Sequence, residues 1–266
     1  MKFFTPKRLS YIIFALLVVS LIGIILVRGK APIFSSMAND SDTHTSSFFG
    51  RDSKDEEPEE TTGPTYELVK APKGYFDDAL LIGDSRAEGI RAYKDQVGMG
   101  GADFFTATGM GVVNSALYTW QYVDGYGNTC LENLLTTNKY GKVYIALGLN
   151  DLYWDMDTIE DSFCELLNRI KETQPDAIIY IISTLHVTEN KSTSHPYFNN
   201  PNVNKYNTMT QKYVDEKKVF YLDSNVLFDD ANGNLDTQYA GDGAHLMGQG
   251  YIDWAEWICD NTVKFN

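Results

Sequence analysis

The stretch ALLIGDSRAEG, at residues 79–89, decides the fold. It begins with four apolar residues and turns at Gly83 into a polar segment that opens with Asp84 and Ser85. A short continuous apolar run that ends at a glycine is typical of a buried parallel strand leading into a helix. Ser85 would then lie at the helix N-terminus, where anions are favoured. A simple helix cap by Asp84 or Ser85 explains the same residues without any chemistry.

Further apolar runs of the same kind follow along the chain, and helical patterns separate them. The runs are residues 104–107, 143–147, 178–182 and 219–222, and the helical patterns include residues 158–173, 203–217 and 249–263. Alternation of this kind predicts an α/β fold, a three-layer α/β/α sandwich around a central parallel sheet of about five strands. In such sheets, ligands bind at the carboxyl ends of the strands.

Polar residues stand at the predicted carboxyl ends. Gly109 follows the second strand and Asn150 follows the third, although Asn150 could equally cap the next helix. Before the last helix, Asp242 precedes His245 by three residues. An acid at this spacing can hold the imidazole Nδ1–H and leave Nε2 free as a base. We therefore expect Ser85, Gly109, Asn150, Asp242 and His245 to meet at one edge.

Several classes of protein are excluded or disfavoured. With 36 acidic and 22 basic residues, the formal charge is −14, which argues against nucleic-acid binding. Neither Cys-x-x-Cys nor His-Glu-x-x-His occurs, so we expect no metal site and no cofactor. Cys130, Cys164 and Cys259 can form at most one disulfide, and three free thiols are equally compatible with the sequence.

The N-terminal part differs from the rest in composition. The 19 residues from Leu9 to Val27 carry no charge, and Lys2, Lys7 and Arg8 precede them. This pattern predicts a cytoplasmic N-terminus at residues 1–8, a transmembrane signal-anchor at 9–27, a disordered acidic tether at 28–74 and an extracellular folded domain at 75–266. A cleaved signal peptide, and hence secretion, is the alternative, although its apolar region usually spans only ~7–15 residues.

Four blocks together resemble the SGNH (GDSL-type) hydrolase family. They are Gly83-Asp84-Ser85-x-x-x-Gly89, Gly109, Gly148-x-Asn150-Asp151 and Asp242-x-x-His245, and the resemblance spans about residues 76–262. Two departures stand out. Arg86 follows the serine where leucine is frequent, and the second block reads Ala-Thr-Gly instead of Asn-x-Gly. The second departure leaves Gly111 as an alternative to Gly109.

The resemblance implies a flavodoxin-like fold and a serine esterase that needs no metal or organic cofactor. It assigns Ser85 as nucleophile, His245 as base and Asp242 as the residue that orients the base. The oxyanion hole would comprise the backbone N–H groups of Ser85 and Gly109 and the side chain of Asn150. The predicted anchor would place the enzyme next to cell-wall and extracellular glycans, and aromatic residues suit sugar rings. We therefore expect it to remove O-acetyl or other small acyl groups from polysaccharide or cell-wall glycan. The alternatives are a lipase or thioesterase acting on lipid-like acyl esters and an O-acyltransferase.

Overall fold

The structure is a computed structural model, and it describes residues 66–113 and 116–264. The predicted signal-anchor at residues 9–27 and the tether as far as residue 65 lie outside this part. Within the described residues, no helix is both long enough and apolar enough to cross a membrane.

The central sheet has five parallel strands, as the sequence predicts. In spatial order they are β3 (Asp103–Thr106), β2 (Ala79–Gly83), β6 (Lys142–Ala146), β7 (Ile178–Ile182) and β8 (Val219–Leu222). Along the chain, β3 is followed by a two-stranded antiparallel hairpin of β4 (Gln121–Val123) and β5 (Gly127–Thr129). The α/β class is therefore confirmed.

Helices cover both faces of this sheet. They are α1 (Ser85–Tyr93), α2 (Leu131–Thr137), α3 (Met156–Thr173), α4 (Glu189–Ser194), α5 (Asn200–Gln211), α6 (Asn225–Phe228) and α7 (Gly248–Asp260). Strand β2 shows the three layers directly. Leu80 and Ile82 pack into one apolar cluster, while Ala79 and Leu81 pack into the other, and all four side chains are buried. Because successive side chains of a strand point to opposite faces, a strand buried on both sides reads as a continuous apolar run.

Helix α3 begins two residues before the predicted pattern, and two other predicted helices differ more from their bounds in the structure. Helix α5 begins earlier, after the N-cap Asn199, whose side chain accepts a hydrogen bond from the N–H of Asn202, and it ends at Gln211 instead of residue 217. Helix α7 ends at Asp260, and the next residues form a strand. A side-chain cap sets the start of α5, and pairing of Thr262–Val263 with a distant strand follows the end of α7. The apolar period reports neither.

The folded part begins before residue 75, so the predicted end of the tether at residue 74 is wrong. Strand β1 (Leu68–Val69) pairs antiparallel with β9 (Thr262–Val263), and Thr262 Oγ1 donates to the carbonyl of Val69 at 2.8 Å. These partners lie 193 residues apart in the sequence. A two-residue strand is too short to show any period, so only the pairing identifies it. All three cysteines are free thiols, and Cys130 and Cys259 are buried.

Candidate active site

Ser85 is the first residue of helix α1, directly beyond the carboxyl end of strand β2. Asp84 is the N-cap of this helix, and its Oδ1 accepts the N–H of Arg86 at 2.9 Å. The cap therefore leaves the hydroxyl of Ser85 free for another partner. Gly89, four residues along the helix, lies against the ring of Tyr251, where a Cβ would come within 2.3 Å of a ring carbon. The glycine in the first block is thus needed for α1 to pack on α7.

A continuous chain of hydrogen bonds joins Ser85, His245 and Asp242. Ser85 Oγ lies 2.9 Å from His245 Nε2, and His245 Nδ1 lies 2.7 Å from Asp242 Oδ2. The other carboxylate oxygen, Asp242 Oδ1, accepts the backbone N–H groups of Ala244 at 2.9 Å and of His245 at 2.8 Å. The loop before α7 therefore fixes the acid, and the acid fixes the imidazole, as the sequence predicts for these three residues.

Asp242 is held in its ionised form. Partial burial opposes its ionisation, but the backbone N–H and imidazole of His245 and the N–H of Ala244 outweigh that cost and lower the pKa of the carboxyl below its usual range. The pair is nevertheless open to solvent, since 43% of the His245 side chain and 56% of the Asp242 side chain are exposed.

Asn150 lies in a 3₁₀ turn, Leu149–Asp151, beyond the end of strand β6. Its Nδ2 donates to Asp84 Oδ2 at 3.2 Å and to the carbonyl of Met110 at 3.1 Å. The N-cap of the following helix α3 is Asp155, so the capping role that the sequence left open for Asn150 is excluded. The amide instead connects the residue before the nucleophile with the loop that follows β3.

Asp151, the next residue, holds that loop in place. Its side chain is buried and accepts the N–H of Val112 at 2.9 Å and that of Val113 at 3.0 Å. Burial raises the pKa of the carboxyl to about 6, against the effect of the two N–H donors. Gly111 packs directly on this carboxylate, and a Cβ there would lie 2.2 Å from Asp151 Oδ1. Asp151 belongs to the third block, but nothing in the sequence indicated this contact.

Gly109 and Gly111 both lie in the loop that Asn150 and Asp151 hold. Gly109 has a φ of +77°, which favours glycine, and no heavy atom lies within 4 Å of where its Cβ would be. Met110 is thus flanked by one glycine that faces open space and one that faces a carboxylate. Which of the two supplies a backbone N–H to an oxyanion stays a prediction.

Arg86, the departure from the frequent leucine, is buried behind the serine. Its Nη1 donates to the carbonyl of Leu185 at 2.8 Å, while Nε and Nη2 find no protein partner among the described residues. Burial lowers the pKa of the guanidinium, and the nearby Asp84 carboxylate opposes that shift. A small cavity of about 10 Å³ adjoins these atoms, which is room for about one water molecule.

A second His–Asp pair lies outside this arrangement. His186 Nδ1 lies 2.8 Å from Asp229 Oδ2, and Nε2 lies 2.8 Å from Asn204 Oδ1, so neither ring nitrogen is available to Ser85. The sequence did not reveal this pair, because its members are 43 residues apart. His195 Nδ1 accepts the N–H of Phe198 at 2.9 Å. Across residues 66–113 and 116–264, no group of three acidic, histidine or cysteine side chains could hold a metal ion.

Known proteins with a similar fold are found among solved structures. The chain matches none of the curated proteins. Among solved structures, it is similar to a GDSL-like lipase from Bacteroides thetaiotaomicron, with 16% identity and a TM-score of 0.51, covering 71% of this chain and 88% of the other. It is also similar to a protein from Bacteroides fragilis assigned as an acylhydrolase, with 16% identity and a TM-score of 0.52, covering 72% of this chain and 88% of the other. At these identities the similarity shows a shared fold.

The family model of GDSL-like lipases and acylhydrolases matches residues 81–251. This match runs from strand β2 to helix α7 and includes Ser85, Asn150, Asp242 and His245. It covers well over half of the chain, including every strand of the central sheet except the first two residues of β2. The chain therefore belongs to the GDSL-like lipase/acylhydrolase family and is an enzyme that hydrolyses esters.

Proposed function

We propose that this protein is a membrane-anchored extracellular serine esterase that removes O-acetyl or other small acyl groups from polysaccharide or cell-wall glycan. The observation that carries the catalytic part is the hydrogen-bonded chain from Ser85 through His245 to Asp242. Geometry of this kind, with the base held by an acid, defines a serine nucleophile on unrelated folds.

In this mechanism, Ser85 Oγ attacks the ester carbonyl while His245 Nε2 takes the hydroxyl proton. The carbonyl oxygen becomes an oxyanion, and when the tetrahedral intermediate collapses, His245 returns the proton to the departing alcohol. The acyl group stays on Ser85 as an ester. Water, deprotonated by the same imidazole, then attacks this ester. When the second tetrahedral intermediate collapses, the bond to Ser85 Oγ breaks, His245 returns the proton to that oxygen, and the acid is released. Asp242 stays ionised and stabilises the imidazolium that forms in each half-reaction.

The oxyanion is held by the backbone N–H of Ser85, by that of Gly109 or Gly111, and by Asn150 Nδ2. Both hydrogens of the Asn150 amide already have acceptors in the free enzyme, Asp84 Oδ2 and the Met110 carbonyl. The oxyanion therefore shares a hydrogen with one of them. In return, the amide is oriented before the substrate arrives, which is the condition for strong electrostatic stabilisation.

The open position of the imidazole supports a small acyl group carried on a large alcohol. A long acyl chain needs an apolar channel that excludes water, whereas His245 and Asp242 are both substantially exposed. Two exposed aromatic residues, Tyr153 and Trp154, follow the Asn150 turn. Aromatic faces suit the apolar faces of sugar rings. The uncharged run at residues 9–27, with basic residues before it, supports an anchored enzyme whose domain meets glycans outside the cell.

Three assays of the full-length chain in detergent test the proposal. We expect p-nitrophenyl acetate to be cleaved faster than the decanoate, acetate to be released from acetylated glycans, and both activities to vanish in Ser85→Ala. A preference for the decanoate would favour a lipase or thioesterase. Acetyl groups that reappear on an added sugar would favour an acyltransferase.

For topology, protease added to intact cells should remove the domain, and a domain that resists until lysis would contradict the anchor.

A further inference from the structure

The β4–β5 hairpin presents two large aromatic side chains to solvent. Trp120 is 61% exposed and Tyr122 is 72% exposed, while Val123, which follows Tyr122 on β4, is buried. Trp120 directly precedes β4 and Tyr122 lies within it, so two exposed rings stand two residues apart at this strand. Asn128, directly opposite Tyr122 on the partner strand, is also exposed. Single exposed aromatic residues are ordinary, but adjacent ones on one face mark a binding surface.

One ion pair connects this hairpin with the nucleophile helix. Asp124, in its turn, accepts from Arg91 Nη1 of helix α1 at 3.2 Å. One turn earlier on the same helix, Glu88 accepts from the hydroxyl of Thr108 at 2.9 Å. Thr108 directly precedes Gly109. The turn of the hairpin therefore lies beside the last turn of α1, and the loop that follows β3 contacts the same helix one turn closer to Ser85.

A second anchor holds the hairpin to the edge of the sheet. Tyr126, in the same turn, donates to Asp103 Oδ2 at 2.7 Å, and Tyr140 donates to the same oxygen at 2.8 Å. Asp103 is the first residue of the edge strand β3. Because the turn is attached both to the sheet and to α1, the aromatic rings are carried on a supported element. A surface that is ordered before binding loses less conformational entropy on binding.

The chemistry of this face indicates what it binds. Residues 118–129 contain one charged side chain, Asp124, and it is paired with Arg91. The other residues are aromatic, amide, hydroxyl, glycine or buried valine. Such a face has no cation for a phosphate or carboxylate, and the chain's charge of −14 repels polyanions. Neutral sugar rings fit it, because their C–H faces stack on the negative faces of aromatic rings while their hydroxyls bond to amides.

We propose that Trp120 and Tyr122 form a platform that binds a neutral polysaccharide chain outside the catalytic centre. The platform holds the polymer while Ser85 acts on an acyl group farther along it. This inference rests on the proposed function, because it takes an acylated glycan as the substrate. It adds that the polymer is uncharged and that recognition of the polymer and of the acyl group are separable.

Binding is measured with the catalytically inert Ser85→Ala chain at full length, by affinity electrophoresis in soluble O-acetylated xylan and in acetylated glucomannan. We expect Trp120→Ala and Tyr122→Ala to weaken retention by about tenfold together, and Trp120→Phe to keep most of it. Tyr197→Ala, which removes an exposed aromatic residue from the loop before α5, is the matched control and should bind like the parent. Thermal melting should be unchanged, since both rings are exposed.

Activity separates this proposal from the proposed function. With Ser85 intact, the platform variants should cleave p-nitrophenyl acetate at the parental rate and raise KM for the acetylated polymers. Platform variants that bind both polymers as Tyr197→Ala does would overturn the inference. So would binding of polygalacturonate or phosphatidylcholine vesicles, but neither xylan nor glucomannan, in a way that depends on Trp120. If the polymers bind through Trp120 while no acyl group is released from them, the platform stands and the proposed function fails.

Discussion

Replacement of Asn150 by alanine removes an amide with two tasks in this structure. It donates to Asp84 Oδ2 at 3.2 Å and to the Met110 carbonyl at 3.1 Å, and it is proposed to bind the oxyanion. A hydrogen bond to a charged group contributes about 1.5–3 kcal/mol and a neutral one about 0.5–1.5 kcal/mol. Since Asn150 is only half-buried and water can replace part of this, we expect the free energy of unfolding to fall by about 2 kcal/mol.

The effect on turnover should be larger. Loss of one oxyanion donor typically lowers kcat by about 10²–10³, or about 2.7–4 kcal/mol of transition-state stabilisation. KM should change little, because a ground-state ester carbonyl carries little of the charge that the donor meets in the transition state. Asn150→Asp should be worse in both respects, since a carboxylate would repel Asp84 as well as the oxyanion. The assay is p-nitrophenyl acetate hydrolysis at a temperature where urea titration shows the variant to be fully folded.

Asn207 offers a matched control for the loss of stability. Its side chain is buried and also makes two hydrogen bonds, accepting the N–H of Thr184 at 2.9 Å and donating to the carbonyl of Thr184 at 3.0 Å. Asn207→Ala should therefore unfold at lower urea concentration yet keep its kcat when folded. If Asn150→Ala, when folded, turned over as fast as Asn207→Ala, Asn150 would be a structural clamp and its role as a donor would be refuted.

Other predictions concern the remaining members of the site. Ser85→Ala and His245→Ala should each abolish ester hydrolysis, and the double variant should be no worse, because residues that act as a unit are not additive. Asp242→Asn should retain more activity than either. His186→Ala should lose stability but keep its kcat; if steady-state assays showed that His186→Ala abolishes activity while His245→Ala keeps it, the base would be misassigned. The pKa of Asp242 is lower in the folded than in the unfolded chain, so its stabilisation is complete above the unfolded value of about 4 and is lost as the pH falls through the folded value. Acid titration followed by circular dichroism should therefore show a steeper loss of stability below about pH 4 in the wild type than in Asp242→Asn. Gly111→Ala would place a carbon 2.2 Å from Asp151 Oδ1 and should yield little active protein, whereas Gly109→Ala meets no atom within 4 Å. Gly109→Ala should cost only about 1 kcal/mol for its positive φ, and equal soluble yield and melting of the two variants would contradict the packing of Gly111 on Asp151.

The sequence alone predicts the architecture, because each layer of this fold requires its own local pattern of apolar residues. A parallel strand covered on both faces must be apolar throughout, so residues 79–82 and 178–182 can be identified without a structure. A helix on the surface must show its period, as residues 158–173 do. The sequence also predicts the contact between Asp242 and His245, because an acid and an imidazole three residues apart can hydrogen-bond within one loop. These features, with Ser85 and Asn150 after their strands, identified the candidate site.

The tertiary structure decided whatever depends on contacts between distant residues. The pairing of β1 with β9 joins residues that are 193 apart in the sequence. The hydrogen bond from Asn150 to Asp84 joins residues 66 apart, and the bond that Asp151 accepts from Val112 in the loop after β3 joins residues 39 apart. The same holds for His186 with Asp229. A side chain's hydrogen-bond partner is chosen by position in space, and a contact between single residues leaves no period in the sequence. Asn150 is therefore compatible with a helix cap in the sequence, and only the fold excludes that role, because Asp155 caps α3 and Asn150 reaches Asp84 and Met110 instead.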